Sequence, residues 1–165
     1  MDANPVLTLR DIHVESVRDL LARYHLSLEL MPDGEDITAS FWGEQEAGIV
    51  GSHVYARNDT PVHSVLHEAC HIICMDEDRR ACLDRDAGGD DLEEAAVCYL
   101  QIVLADQLKE VGAKRLMSDM DVWGYTFRVG STRRWYDDDA DDARDWLVDN
   151  GLLGTSGAPE YRSRK

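Results

Sequence analysis

The stretch Thr60-Pro61-Val62-His63-Ser64-Val65-Leu66-His67-Glu68-Ala69-Cys70-His71 decides how this chain is built. Threonine can cap the free amides at a helix start, and proline at the first helical position loses no hydrogen bond, so a helix is expected from here to about Met75. On that helix His67 and His71 lie four apart and project from one face, about 40° apart around the axis. Two neutral imidazoles so placed can reach one ion. Zinc suits imidazole and needs no redox partner, and Glu68, beside the pair, can serve as general base toward a metal-bound water.

A catalytic zinc site needs a third protein ligand and one open position. Glu93 and Glu94 meet the requirement from a second helix, expected from Asp91 to about Val111 and apolar on most sides (Leu92, Ala95, Ala96, Val97, Tyr99, Leu100, Val103, Leu104). A carboxylate entering such a helix is costly unless something pairs with it, and zinc provides that pairing. By angle Glu93 shares a side with Ala96, Val97, Leu100 and Leu104, and Glu94 lines up with Cys98 and Gln101. The angle favours Glu93, with Glu94 as the alternative.

Nearer the N-terminus, Val17, Leu20, Leu21 and Tyr24 mark a one-faced helix over residues 11–25. Leu26, Leu28 and Leu30 alternate with Ser27 and Glu29 as in a half-buried strand, and Pro32-Asp33-Gly34 supplies a turn. Ile37 to Trp42 reads as a second strand. Gly48 to Ala56 reads as a third, interrupted at Gly51 by a bulge or a close backbone approach. These three make a small, mainly antiparallel sheet. A surface loop is expected from Asp76 to Asp91, around Gly88-Gly89. Beyond Val111 the pattern weakens until a last helix that follows Asp137 to Asp142 and ends near Asn150-Gly151. The expectation is one α+β domain over residues 1–153, with a loose tail over 154–165.

This order of elements resembles the gluzincin branch of zinc metallopeptidases, especially the small ImmA- and IrrE-like proteins. The resemblance is carried by Val54-Tyr55-Ala56 before the HExxH stretch and by Glu93-Glu94-Ala95-Ala96 with Tyr99 after it, and it covers about residues 11–110. It implies a zincin-like fold, Zn²⁺ as cofactor, and peptidase activity on a peptide or protein substrate, a regulatory protein among the candidates. Its register makes Glu93 the third ligand beside His67 and His71, Glu68 the catalytic base, and Ala96 the small residue that lets the two helices approach. Where the family commonly has Asn or Asp after that alanine, this chain has Val97. The last strand, near Gly51 to Ala56, is expected to offer its edge to an extended peptide.

Composition narrows the classes. The 165 residues, 44% of them hydrophobic, suffice for one core. With 17 Lys plus Arg against 33 Asp plus Glu, the formal charge of −16 repels a phosphate backbone, which argues against nucleic acid. The start, MDANPVLTLRD, lacks the basic and apolar parts of a secretory signal, and no segment reaches membrane-spanning length, so a cytoplasmic protein is expected. Cys70, Cys74, Cys82 and Cys98 form no CxxC pair and read as free thiols. His63, His53, Tyr125 and Arg128 are candidates to stabilise an oxyanion, each with a more ordinary packing or surface role beside it. The DDDADD run at 137–142 lacks the spacing of a calcium loop. The rival function is a zinc-binding regulatory or interaction module without turnover.

Overall fold

The computed structural model describes residues 6–165, so the first five residues of the start read for a signal lie outside the described residues. The described residues form seven helices and a three-stranded sheet: α1 Val14–Ala22, β1 Ser27–Leu30, β2 Gly48–Val50, β3 His53–Ala56, α2 Val62–Cys74, α3 Glu77–Ala81, α4 Asp91–Ala105, α5 Ala113–Trp123, α6 Thr132–Asp138 and α7 Asp141–Asp149. A single 3-10 turn, Leu9–Asp11, precedes α1.

The sheet is mixed, in the order β1-β3-β2, with β1 parallel to β3 and β2 antiparallel to it. Two expectations are corrected here. Ile37 to Trp42 is not a strand: Ala39 takes a left-handed φ of +57°, which no extended run accommodates, and only Ser40 bridges to Gly48. That crossing is tight, since a Cβ on Gly48 would stand 2.1 Å from the carbonyl oxygen of Thr38. Gly51, in turn, does not bulge one long strand. Its φ of +56° opens a two-residue turn that folds Gly48 to Ala56 into the β2–β3 hairpin.

The hairpin puts β3 in the middle of the sheet, paired on both sides, so it offers no edge to a peptide. The outer side of β2 is partly covered as well. Gly51 donates its amide to Leu83 O at 3.2 Å, and Arg85 donates to Ile49 O at 2.8 Å, which lays residues 83–85 alongside β2.

α2 and α4 form the centre. Leu66, Ile72 and Ile73 of α2 and Leu100, Ile102 and Leu104 of α4 are fully buried, each contributing roughly 1.5–3 kcal/mol of burial free energy. Ala69 and Ala96 are also fully buried, and small residues allow two helix axes to come close. α4 further packs on α5 and α7, while β2 and β3 lie against α2. Thr60 does not cap α2. Its hydroxyl accepts the Arg57 amide at 2.9 Å, and the first amide of the helix, Val62 N, is satisfied by Leu7 O at 2.9 Å.

Past Val111, where the apolar pattern fades, the chain forms α5 and α6. Gly124 closes α5 in a left-handed conformation, and the Ser131 hydroxyl caps α6 through Arg134 N. The tail over 154–165, expected to be loose, is docked. Arg164 donates its amide to Ile73 O at 2.9 Å, its guanidinium reaches Asn150, Cys74 O and Glu93, and Arg80 donates to Arg164 O.

Candidate metal centre

The α2 helix delivers His67, Glu68 and His71 as the four-residue spacing predicts, and their ligand atoms all lie within 4.8 Å of one another. Nε2 of His71 lies 3.1 Å from Nε2 of His67. The carboxylate that meets them is Glu94's, with Oε1 3.0 Å from His67 Nε2 and Oε2 3.2 Å from His71 Nε2.

Glu93, the expected third ligand, is placed elsewhere. Its carboxylate receives two bonds of 2.7 Å from Arg79 and one of 3.1 Å from Arg164, and it is 95% buried in that network. Gly89 gives it room, since a Cβ there would stand 2.3 Å from Glu93 Oε2. The burial of Glu93 is therefore compensated by two guanidinium groups rather than by an ion. Angular position on α4 did not separate the two glutamates because both flanks of the helix carry apolar residues; the arginines that claim Glu93 lie in α3 and at the far end of the chain.

Gln101 lies seven residues, about two turns, beyond Glu94 on the same face of α4, and its role has no signal in the sequence beyond that shared face. Fully buried, it donates Nε2–H to the carbonyl oxygen of His63 at 3.2 Å, which fixes its amide so that Oε1 faces Nδ1 of His67 at 2.6 Å. Nδ1 is then the donor to Gln101, and Nε2 is the atom that faces Glu94 and His71.

Two imidazole nitrogens and the two oxygens of one carboxylate thus converge at 3.0–3.2 Å, where a single cation could be shared by the three side chains. Donors bound tetrahedrally to zinc at about 2.0–2.1 Å sit about 3.3 Å from each other, so the spacing fits such an ion. The donor set also suits it chemically: two imidazoles and one carboxylate. Cys98 lies nearby, its sulfur within 4.8 Å of ligand atoms of His67 and Glu94. Among the described residues, both clusters able to hold a metal occur here.

Burial pushes the Glu68 carboxyl up to about 7, with Glu46 and Glu94 adding to the effect and His67 opposing it. Burial, reinforced by His67, lowers His71 to about 4 and His63 to about 3. Burial works against ionisation of Glu94, but the bond to His67 and the charges of His67 and His71 hold it below the usual glutamate value.

Two cavities flank the cluster. One, of about 280 Å³, is lined by His67, Glu68, His71 and Glu94 together with Phe41, Trp42 and residues 85–89. The other, of about 340 Å³, shares His67, Glu68, Glu94 and Trp42 and is closed by Glu46, Ser64 and residues 123–125. Trp42 and Phe41 are exposed large side chains, at 70% and 51%.

The oxyanion candidates separate. Tyr125 lines the second cavity, with its ring 5.6 Å from that of His67; burial pushes its hydroxyl up to about 12, so it stays a donor. His63 is buried behind it, with Nδ1 3.2 Å from the Tyr125 hydroxyl. Arg128 is paired with Asp139, and His53 sits on β3 beside Ser27 and Glu29; neither lines the two cavities. Cys70, Cys74 and Cys98 are buried free thiols and Cys82 an exposed one. No helix among the described residues is long and apolar enough to cross a membrane. Comparison with protein-family models, with curated proteins and with solved structures finds no match to this chain.

Proposed function

We propose that this chain is a zinc-dependent metallohydrolase of the gluzincin type that acts as a peptidase, with His67, His71 and Glu94 as ligands. The observation that carries the reading is the convergence of those three donors at 3.0–3.2 Å in a cleft that also presents Glu68, a buried carboxylate not needed to complete the ligand triangle. Bound zinc supplies Lewis acidity toward a substrate carbonyl and lowers the pKa of a water.

The protein's own groups do the rest. Glu68 takes the proton of the attacking water and passes it to the leaving nitrogen. Gln101 holds His67 in the tautomer that faces the cluster. Tyr125, its hydroxyl oxygen accepting from the Nδ1–H tautomer of His63, donates its one hydroxyl hydrogen to the oxygen that gains charge at the scissile carbonyl. The two cavities on either side of Glu68 receive the chain on the two sides of the broken bond. Free buried thiols accord with a cytoplasmic setting.

The test compares wild type with Glu68→Gln after zinc loading, using a mixed peptide pool and mass spectrometry. The reading expects both proteins to hold one zinc and only the wild type to cleave. A wild type that holds zinc and cleaves nothing removes the peptidase assignment.

One observation favours a second reading. Cys98 lies close enough to His67 and Glu94 for a rearranged thiolate to close the coordination, which would make a structural zinc site in a regulatory module. Cobalt substitution separates the two, because a sulfur ligand gives an intense charge-transfer band that an N₂O site with open water lacks.

A further inference from the structure

The first cavity carries a charge that the hydrolytic chemistry does not use. Arg85 lines it together with His67, Glu68, His71 and Glu94, and among the described residues its guanidinium has no hydrogen bond or ion pair. Its backbone is held in place. The Arg85 amide donates to Ile49 O at 2.8 Å, its φ of +71° turns the chain sharply after residues 83–85 have run beside β2, and Arg79 pins Ala87 O at 2.7 Å just beyond. Two acids adjoin it in sequence, Asp84 and Asp86; neither pairs with its guanidinium, and Asp86 uses Oδ1 to accept the Gly88 amide at 3.0 Å. An exposed arginine is thus presented on a tied loop at the rim of the reacting groups, in a chain of net charge −16 where most guanidiniums meet a carboxylate or carbonyl.

We propose that Arg85 is the anchor for a substrate carboxylate, so that the cleft selects peptides bearing an acidic side chain or a free C-terminal carboxylate close to the scissile bond. The proposal rests on the peptidase reading of the site. The fork of the guanidinium matches a carboxylate in a way no other group in this cavity can, since the remaining charged lining residues, Glu68, Glu94 and Asp86, repel it. The overall acidity of the protein disfavours acidic peptides everywhere else on its surface, so Arg85 supplies discrimination by position. A carboxylate engaged there is held beside the Glu68–His71 cluster, which orients the neighbouring peptide bond toward it.

The experiment separates binding from turnover by using zinc-loaded Glu68→Gln protein. Its intrinsic tryptophan fluorescence is titrated with three hexapeptides. The first is acetylated, amidated and carries one central glutamate; the second has glutamine in its place; the third is the glutamine peptide with a free C-terminus. The glutamate peptide or the free-carboxylate peptide should bind about three- to tenfold more tightly than the neutral one, and which of them does so identifies the source of the carboxylate. Arg85→Ala should erase the preference and Arg85→Lys retain part of it. Equal affinities for all three peptides, no binding of any, or a preference that survives Arg85→Ala would overturn the proposal. The last pattern points to the zinc ion itself as the carboxylate's partner. Loss of the peptidase reading shows up separately, as a zinc-loaded wild type that binds these peptides through Arg85 and cleaves none.

Discussion

Glu93 and Glu94 are adjacent in sequence, yet their carboxylates serve different partners: Glu94 closes on His67 at 3.0 Å, while Glu93 is clamped by Arg79 and Arg164. The two positions should therefore fail in different ways. Glu94→Gln removes a ligand and should lower zinc affinity by at least about tenfold with little change in the stability of the metal-free protein. Glu93→Gln should keep zinc stoichiometry and lose stability, by about 3 kcal/mol, because two guanidinium groups lose a buried counter-ion. For a domain of this size that is a fall in Tm of roughly 6–12 °C. Zinc titration and thermal denaturation of both variants check the assignment, and the opposite pattern would restore Glu93 as the ligand.

Gln101 is the group that sets the direction of His67. Replacing it by methionine keeps the volume and removes the acceptor for Nδ1, leaving that nitrogen buried without a partner and the ring free to change tautomer. Zinc affinity should fall about 10- to 100-fold. Competition with a chelator measures this directly, and an unchanged affinity would show that the 2.6 Å contact does not hold the ligand.

The histidine half of the candidate metal site was legible because it is local. A four-residue spacing on one helix defines a face whatever the rest of the chain does, and His67, Glu68 and His71 are placed by it. Which glutamate faces the histidines was not, because Arg79 and Arg164, which bind Glu93, lie 14 residues before and 71 residues after it in sequence. The sheet failed for a related reason. Alternating leucines identify β1, but the pairing partner and its direction are set by Gly51, whose left-handed turn splits one apolar run into β2 and β3, and by Ala39, whose positive φ breaks the run before it. α5 and α6 leave little trace in the sequence because their buried residues are few and spaced between charged ones: Leu116, Met117, Asp119 and Met120 in the first, Thr132 and Trp135 in the second.

Trp42 lines both cavities and is 70% exposed, so it contributes little to folding. Trp42→Ala should leave Tm within about 2 °C of wild type. If the cleft receives peptide chain on both sides of Glu68, losing this ring removes apolar contact with bound substrate, and KM should rise about fivefold with kcat nearly unchanged. Steady-state kinetics on a cleaved peptide from the pool provide the measurement; an unaltered KM would mean that the chain does not pass over Trp42.

Tyr125 presents the one phenol that lines the second cavity, and His63 Nδ1 holds its hydroxyl from behind at 3.2 Å. A donor that serves only the transition state should cost kcat and spare binding. Tyr125→Phe keeps the ring that packs 5.6 Å from His67 and removes only the hydroxyl, so zinc affinity and KM should stay within about twofold while kcat falls by about 10²-fold. His63→Ala should show a weaker version of the same loss, since it frees the Tyr125 hydroxyl without deleting it. If the phenylalanine variant instead loses zinc or binds peptide poorly with kcat intact, Tyr125 acts by packing against His67, and stabilisation of the oxyanion must come from the metal alone.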